Sequence, residues 1–143
     1  MINIKQPKYF NLSGINAFVT GASGHLGKVM CEALAEHGAT VYLNGRNKKK
    51  IYALHRNFKR RGFRSVPVVI DVLNFDKIKN YFLSNKKPFG IIINNAYYGK
   101  PSKFEEVDLG SYSEAYNIAV LAAANLINCA KKNLILAAKK KNT

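Results

Sequence analysis

The chain has 143 residues, a formal charge of +15, and 48% hydrophobic and 11% aromatic content. That size and composition suit one globular domain and exclude a disordered or fibrous chain. The longest apolar run, Ile118 to Leu126, is broken by Asn125 and falls short of the roughly 18 residues of a membrane helix, so no membrane partner is expected.

Along the chain, short apolar runs alternate with helical patterns, which predicts a parallel sheet with helices on its faces. The N-terminus holds Lys5, Pro7 and Lys8 before Tyr9 and no hydrophobic signal core. Strand one is predicted at Ile15 to Thr20. A first helix from Leu26 to His37 is expected to bury Leu26, Val29, Met30, Ala33 and Leu34, with Gly38 ending it. Strand two is Thr40 to Asn44. A basic helix from Lys48 to Arg61 has Ile51, Leu54 and Phe58 as its inward stripe, and Gly62 closes it. Strand three runs from Val66 to Asp71, and a short helix from Phe75 to Leu83 has Asn74 as N-cap. Strand four, Gly90 to Asn94, is an Ile triplet of the kind found where both faces are covered. In the last helix Ser111-x-x-Glu114 reads as a capping box, and Tyr112, Ala115, Tyr116, Ala119, Val120, Ala123 and Ile127 recur on one face.

These elements give an α/β fold: a truncated Rossmann-like, doubly wound parallel sheet of about four strands in order 3-2-1-4, with flanking helices. No linker divides residues 1–143, which read as one nucleotide-binding domain. The basic residues are densest at Lys48 to Lys50 and Arg56 to Arg64 but recur at Lys5 and Lys139 to Lys141. Charge so diffuse makes nucleic-acid binding the lesser alternative. Cys31 and Cys129 have no metal-ligand spacing, and no metal site is predicted. A thiol-reduced, cytoplasmic location follows.

The chemistry is concentrated at strand ends. Gly21, Ser23, Gly24, His25, Leu26 and Gly27 form a turn between strand one and the first helix. Free amides at a helix N-terminus accept anions, and glycines let the backbone approach a diphosphate. The glycine spacing is three and three, not the two and three of the common dinucleotide fingerprint. After strand two comes Asn44-Gly45-Arg46, with no acid to hold a ribose 2′-hydroxyl. Gly45 leaves room for a 2′-phosphate and Arg46 can grip it with a planar fork, so NADP is the expected cofactor, with NAD left open. Lys48 and His25 are candidates to assist.

Thr20-Gly-x-x-Gly-x-x-Gly27 resembles the cofactor loop of the short-chain dehydrogenase/reductase superfamily, and the likeness extends over about residues 12 to 130. The resemblance implies that Asp71 and Val72 meet the adenine, while Asp71 can equally cap a turn. It implies that Asn94, Asn95 and Ala96 stabilise the central strands and line the ribose, although Tyr97 replaces the family's usual glycine. It assigns Asn117 to the catalytic set as holder of a relay water. The family's remaining catalytic groups are a serine and Tyr-x-x-x-Lys, and no tyrosine in this chain has a lysine four residues later. The chain is therefore expected to be a cofactor-binding portion, incomplete at its C-terminus from strand five onward and inactive alone. A non-catalytic nucleotide-binding module needing a partner is the alternative. The resemblance also implies pairing of subunits through the long helix, 111–138, and missing strands would expose strand 90–94 to association. The run Asn94 to Gly99 is weakly similar to short-chain reductases of flagellin modification, which would make the substrate of a complete relative a sugar or sugar nucleotide.

Overall fold

The computed structural model describes residues 10–99 and 103–141. Four strands form one parallel sheet in the order β3-β2-β1-β4: β1 (Asn16–Val19), β2 (Thr40–Asn44), β3 (Ser65–Val68) and β4 (Ile91–Ile93). Helices α1 (His25–Glu36), α2 (Lys48–Arg60) and α3 (Phe75–Ser84) connect them. A final continuous helix is built from α4 (Leu109–Tyr116), a π-helical segment (Asn117–Ala122) and α5 (Ala123–Lys141). The predicted strand order is the observed one.

Successive strand residues point to opposite faces, so β1 and β2 feed two cores at once. Ala17, Val19, Val41 and Leu43 pack with Cys31, Ala35, Ile51, Leu54 and Phe58, under α1 and α2. Phe18 and Tyr42 point the other way, toward Ile78, Phe82, Phe89, Leu126 and Ala130 under α3 and α5. Phe18 lies 5.1 Å from Phe82, and Tyr42 lies 4.7 Å from Phe89 edge-on, an arrangement that aromatic quadrupoles favour. Arg61, at the C-cap of α2, ties that helix to α1 through Glu32 (2.9 Å) and Glu36 (3.3 Å).

Several expectations are corrected. Helix α1 does not bury Leu26, Val29 and Met30; Leu26 is 63% and Val29 59% exposed, and the core side carries Gly27, Cys31 and Ala35. In the long helix the predicted stripe of Tyr112, Tyr116, Val120 and Ile127 also faces outward, while Ile118, Ala122, Leu126 and Ala130 are buried. Small residues on the inner face of α1 let that helix approach closely, and its larger apolar chains are left on the other side. The capping box is not formed: Asp108 caps α4, its Oδ1 accepting from Ser111 N (2.8 Å), which starts the helix three residues before Ser111. Strand β4 is only half covered; it pairs with β1, and no second neighbour occurs among the described residues. Leu109–Lys140 is long and apolar enough, by length and composition alone, to cross a membrane. A search for an unbroken apolar run overlooks it because Asn117, Asn125 and Asn128 interrupt the pattern. Its Asn133 is buried against the α3–β4 connection, donating to Asn85 O (2.9 Å) and Lys87 O (3.0 Å).

Candidate functional site: a cleft at the strand ends

The C-terminal ends of parallel strands β2, β1 and β4 face an open cleft of about 560 Å³, bounded by the glycine turn. This is the crevice where doubly wound sheets take ligands, and its size suits one. Gly21 adopts φ +62°, a left-handed conformation that disfavours side chains. A Cβ on Gly21 would stand 3.0 Å from Ala96 Cα, and one on Gly27 would overlap the Gly21 carbonyl oxygen. The turn is therefore as tight as backbone can be. Gly24 is the N-cap of α1 and supplies no side-chain cap. The first helical bond runs from Lys28 N–H to Gly24 O (3.0 Å), so the amides of His25, Leu26 and Gly27 stand ahead of it. A helix start without a cap is a receptor for an anion.

Two polar side chains hold this turn. Thr20 Oγ1 accepts from Asn95 N and Ala96 N (both 2.9 Å) and donates to Ile93 O (3.3 Å). Asn95 Nδ2 donates to Thr20 O (3.0 Å) and Gly21 O (3.3 Å). Together they lock the turn after β1 onto the end of β4. On the other side Ala22 N donates to Asn44 O (2.9 Å), and Asn44 Nδ2 bridges to Val68 O (3.2 Å) and Ile70 O (3.0 Å) at β3. The sequence gives Thr20 no role beyond membership of the motif, because its three bonds cross to a strand 73 to 76 residues away.

The cleft gathers eleven of the twelve residues expected to meet a cofactor. Gly21, Ser23, Gly24, His25, Leu26 and Gly27 come from the turn, Arg46 from the end of β2, Asp71 and Val72 from beyond β3, and Asn95 and Ala96 from beyond β4. Asn94 is exposed and lines a smaller adjoining cavity of about 320 Å³. Lys50 lines the main cleft where Lys48 was expected to assist, and Asn47 explains the shift: it caps α2 by accepting from Lys50 N (3.0 Å). Asp71 does cap a turn, accepting from Leu73 N (3.0 Å), and its other oxygen lies 4.0 Å from Arg46 Nη1. Tyr98 joins the wall, with the Arg46 guanidinium 5.3 Å from its ring centroid. Tyr97 is 73% exposed and lines both the main cleft and the smaller cavity, its ring lying over Gly99, where a Cβ would strike it. Arg46 and Lys50 bring positive charge to the cleft, and the carboxylate of Asp71 lies beside Arg46.

Asn117 is not brought to either cavity. It opens the π-helical segment and faces solvent, while Ile118, Ala119, Ala122 and Ala123 form the wall that this helix gives to the smaller cavity. Regular helical spacing places Asn117 within the apolar stripe; the buried side of the helix instead carries Ile118 and Ala122. Among the tyrosines, Tyr81 has its pKa raised to about 12 by burial, which outweighs the hydrogen bond from Asn85.

Residues 16–142 match the family model described as short chain dehydrogenase. The gluconate 5-dehydrogenase of Gluconobacter oxydans is 34% identical over 106 residues, which are 72% of this chain and 41% of that protein. A gluconate 5-dehydrogenase of Burkholderia cenocepacia, solved with NADP and tartrate, superposes with a TM-score of 0.78 at 24% identity, covering 90% of this chain and 51% of that one. A blue fluorescent protein from a metagenomic library, solved with NADPH, gives a TM-score of 0.73 at 26% identity, covering 85% and 52%. The chain thus spans about half the length of these relatives or less. With the family model matching residues 16–142, nearly the whole chain, the chain belongs to the short-chain dehydrogenase family.

Proposed function

We propose that the chain binds NADP(H) in the cleft, as the cofactor-holding portion of a short-chain oxidoreductase, and that it performs no reduction alone. The observation that carries the reading is the glycine turn, closed to side chains at Gly21 and Gly27 and opening uncapped amides onto a basic cleft. The backbone fits a diphosphate there, since no Cβ intervenes. Thr20 and Asn95 keep the turn in place. Arg46 and Lys50 suit the extra 2′-phosphate, and Asp71 can accept from an adenine amino group while Val72 packs beside the ring. The NADP- and NADPH-bound relatives support this choice of dinucleotide. When bound, the cofactor supplies a hydride through its nicotinamide.

Reduction of a carbonyl also needs a proton donor of suitable pKa beside the reacting carbon. The chain has no Tyr-x-x-x-Lys, and the helix gives the smaller cavity only apolar side chains, with Asn117 turned away. Equilibrium titration with NADPH, followed by its fluorescence, tests binding. Saturable binding is expected, and no binding of NADPH or NADH would overturn the reading. Consumption of NADPH with a carbonyl substrate by the purified chain would overturn the inactivity.

Association with a further surface is the second reading. The edge of β4, which has no second neighbour among the described residues, and exposed Tyr112, Tyr116 and Ile127 on the long helix offer apolar surface to a partner. Sedimentation at rising concentration should show self-association; a monomer throughout would contradict it.

A further inference from the structure

We propose that Tyr98 sets the preference for a 2′-phosphorylated dinucleotide by holding Arg46 in position; the inference rests on the reading of the cleft as an NADP site. Three strand ends converge on this point. Arg46 follows β2, Asp71 follows β3 and Tyr98 follows β4, and all three line the same cleft. The turn carrying Arg46 is itself fixed: a Cβ on Gly45 would stand 2.9 Å from Ile51 Cδ1 and 3.7 Å from Ser23 Oγ. Beyond that turn the arginine side chain has long, free rotors, and an exposed guanidinium loses rotamer entropy when it grips an anion.

The two contacts of Arg46 differ in kind. Its ion pair with Asp71 is long, at 4.0 Å, between side chains 61% and 40% exposed, so it is weak and leaves the N–H fork largely unspent. Its contact with Tyr98 places the guanidinium carbon over the aromatic ring, 5.3 Å from the centroid. A cation–ring attraction draws on the charge of the guanidinium and takes no conventional hydrogen-bond acceptor, so the N–H fork stays available to a phosphomonoester. Tyr98 therefore limits the orientations of Arg46 without competing for its hydrogen bonds. Asp71 then acts as a light counter-charge that a doubly charged phosphate displaces. A cofactor without the 2′-phosphate gains nothing from this arrangement.

Tyr98 acts through Arg46, so it is a positioning residue and the test must isolate the phosphate. Dissociation constants for NADP and NAD are measured for the wild-type chain and for Tyr98→Ala, Tyr98→Phe and Arg46→Ala, singly and with Tyr98→Ala added to Arg46→Ala. Tyr98→Ala should lower the NADP-over-NAD preference about three- to five-fold, the worth of an exposed cation–π contact. Tyr98→Phe should keep the wild-type preference, because the ring face remains. In the Arg46→Ala background, Tyr98→Ala should leave the preference unchanged. An equal loss for both dinucleotides, a loss that persists without Arg46, or no loss at all would overturn the role given to Tyr98 while the cleft reading stands. Failure of the wild-type chain to bind either dinucleotide would overturn both.

Discussion

Helices α1 and α2 cover the same face of the sheet, yet they meet it in opposite ways. Helix α2 buries its bulkiest apolar residues, with Ile51 and Phe58 fully buried and its lysines and arginines facing water. Helix α1 turns Gly27, Cys31 and Ala35 inward and leaves Leu26, Val29 and Met30 exposed. The difference follows from what each helix must do. The N-terminus of α1 opens onto the cleft, and Gly27 sits against the Gly21 carbonyl with no room for a methyl group. A helix that delivers amides to a ligand has to come close to the turn before it, and only small residues permit that approach. Helix α2 has no such duty and packs by volume.

Substitutions can sharpen or break that contrast. Phe58→Ala should cost most, about 3–5 kcal/mol, because it empties a filled core site; denaturant unfolding would check it. Gly27→Ala should cost about 1–3 kcal/mol, since backbone must shift to admit the methyl group, and it should weaken dinucleotide binding as well. Unchanged stability and affinity in that variant would remove the reason given for the small-residue face. Val29→Ala, on the exposed side of α1, should change stability by less than about 0.5 kcal/mol. A loss in Val29→Ala equal to that in Phe58→Ala would abolish the contrast.

The smallest effect concerns the start of the long helix. Hydrogen bonds from the Ser111 amide and hydroxyl hold the Asp108 carboxyl below its usual pKa. The folded state thus favours the ionised form. Its contribution is present above the unfolded-state pKa, near 3.8, and is lost as pH falls through the lower folded value. The protection factor of the Ser111 amide, its exchange rate relative to that of an unstructured peptide at the same pH, should fall only in strong acid, and Asp108→Asn should remove that dependence while keeping the cap. A protection factor already lost at neutral pH would contradict the assignment.

The contrast also explains what could be read from the sequence. Strand β2 was legible as a short apolar run bounded by Gly38 and Gly45, and the stripe of α2 because charge and apolarity alternate there at a helical period. The strand order and the turn of Gly21, Gly24 and Gly27 were legible for a similar reason: each element is short and punctuated. The inner face of α1 was not, because its buried side is the smaller, less hydrophobic one, and that of the long helix was not, because apolar residues lie all round it. Asn117 is assigned by the family resemblance; in the structure it opens the π-helical segment and lines neither cavity. Ser111 and Asp108 both suit an N-cap, and only the observed bond from Ser111 N to Asp108 decides between them. The locking bonds of Thr20 and the contact of Tyr98 with Arg46 join segments far apart in the chain, where local pattern carries no signal.

Dinucleotide binding in the cleft depends on the uncapped amides at the head of α1. Its most direct test is a titration of the isotopically labelled chain with NADP, followed by backbone amide resonances. The amides of Gly24, His25, Leu26 and Gly27 should shift most, in a saturable way, together with those around Arg46. Saturable binding that leaves these four amides unmoved would contradict it.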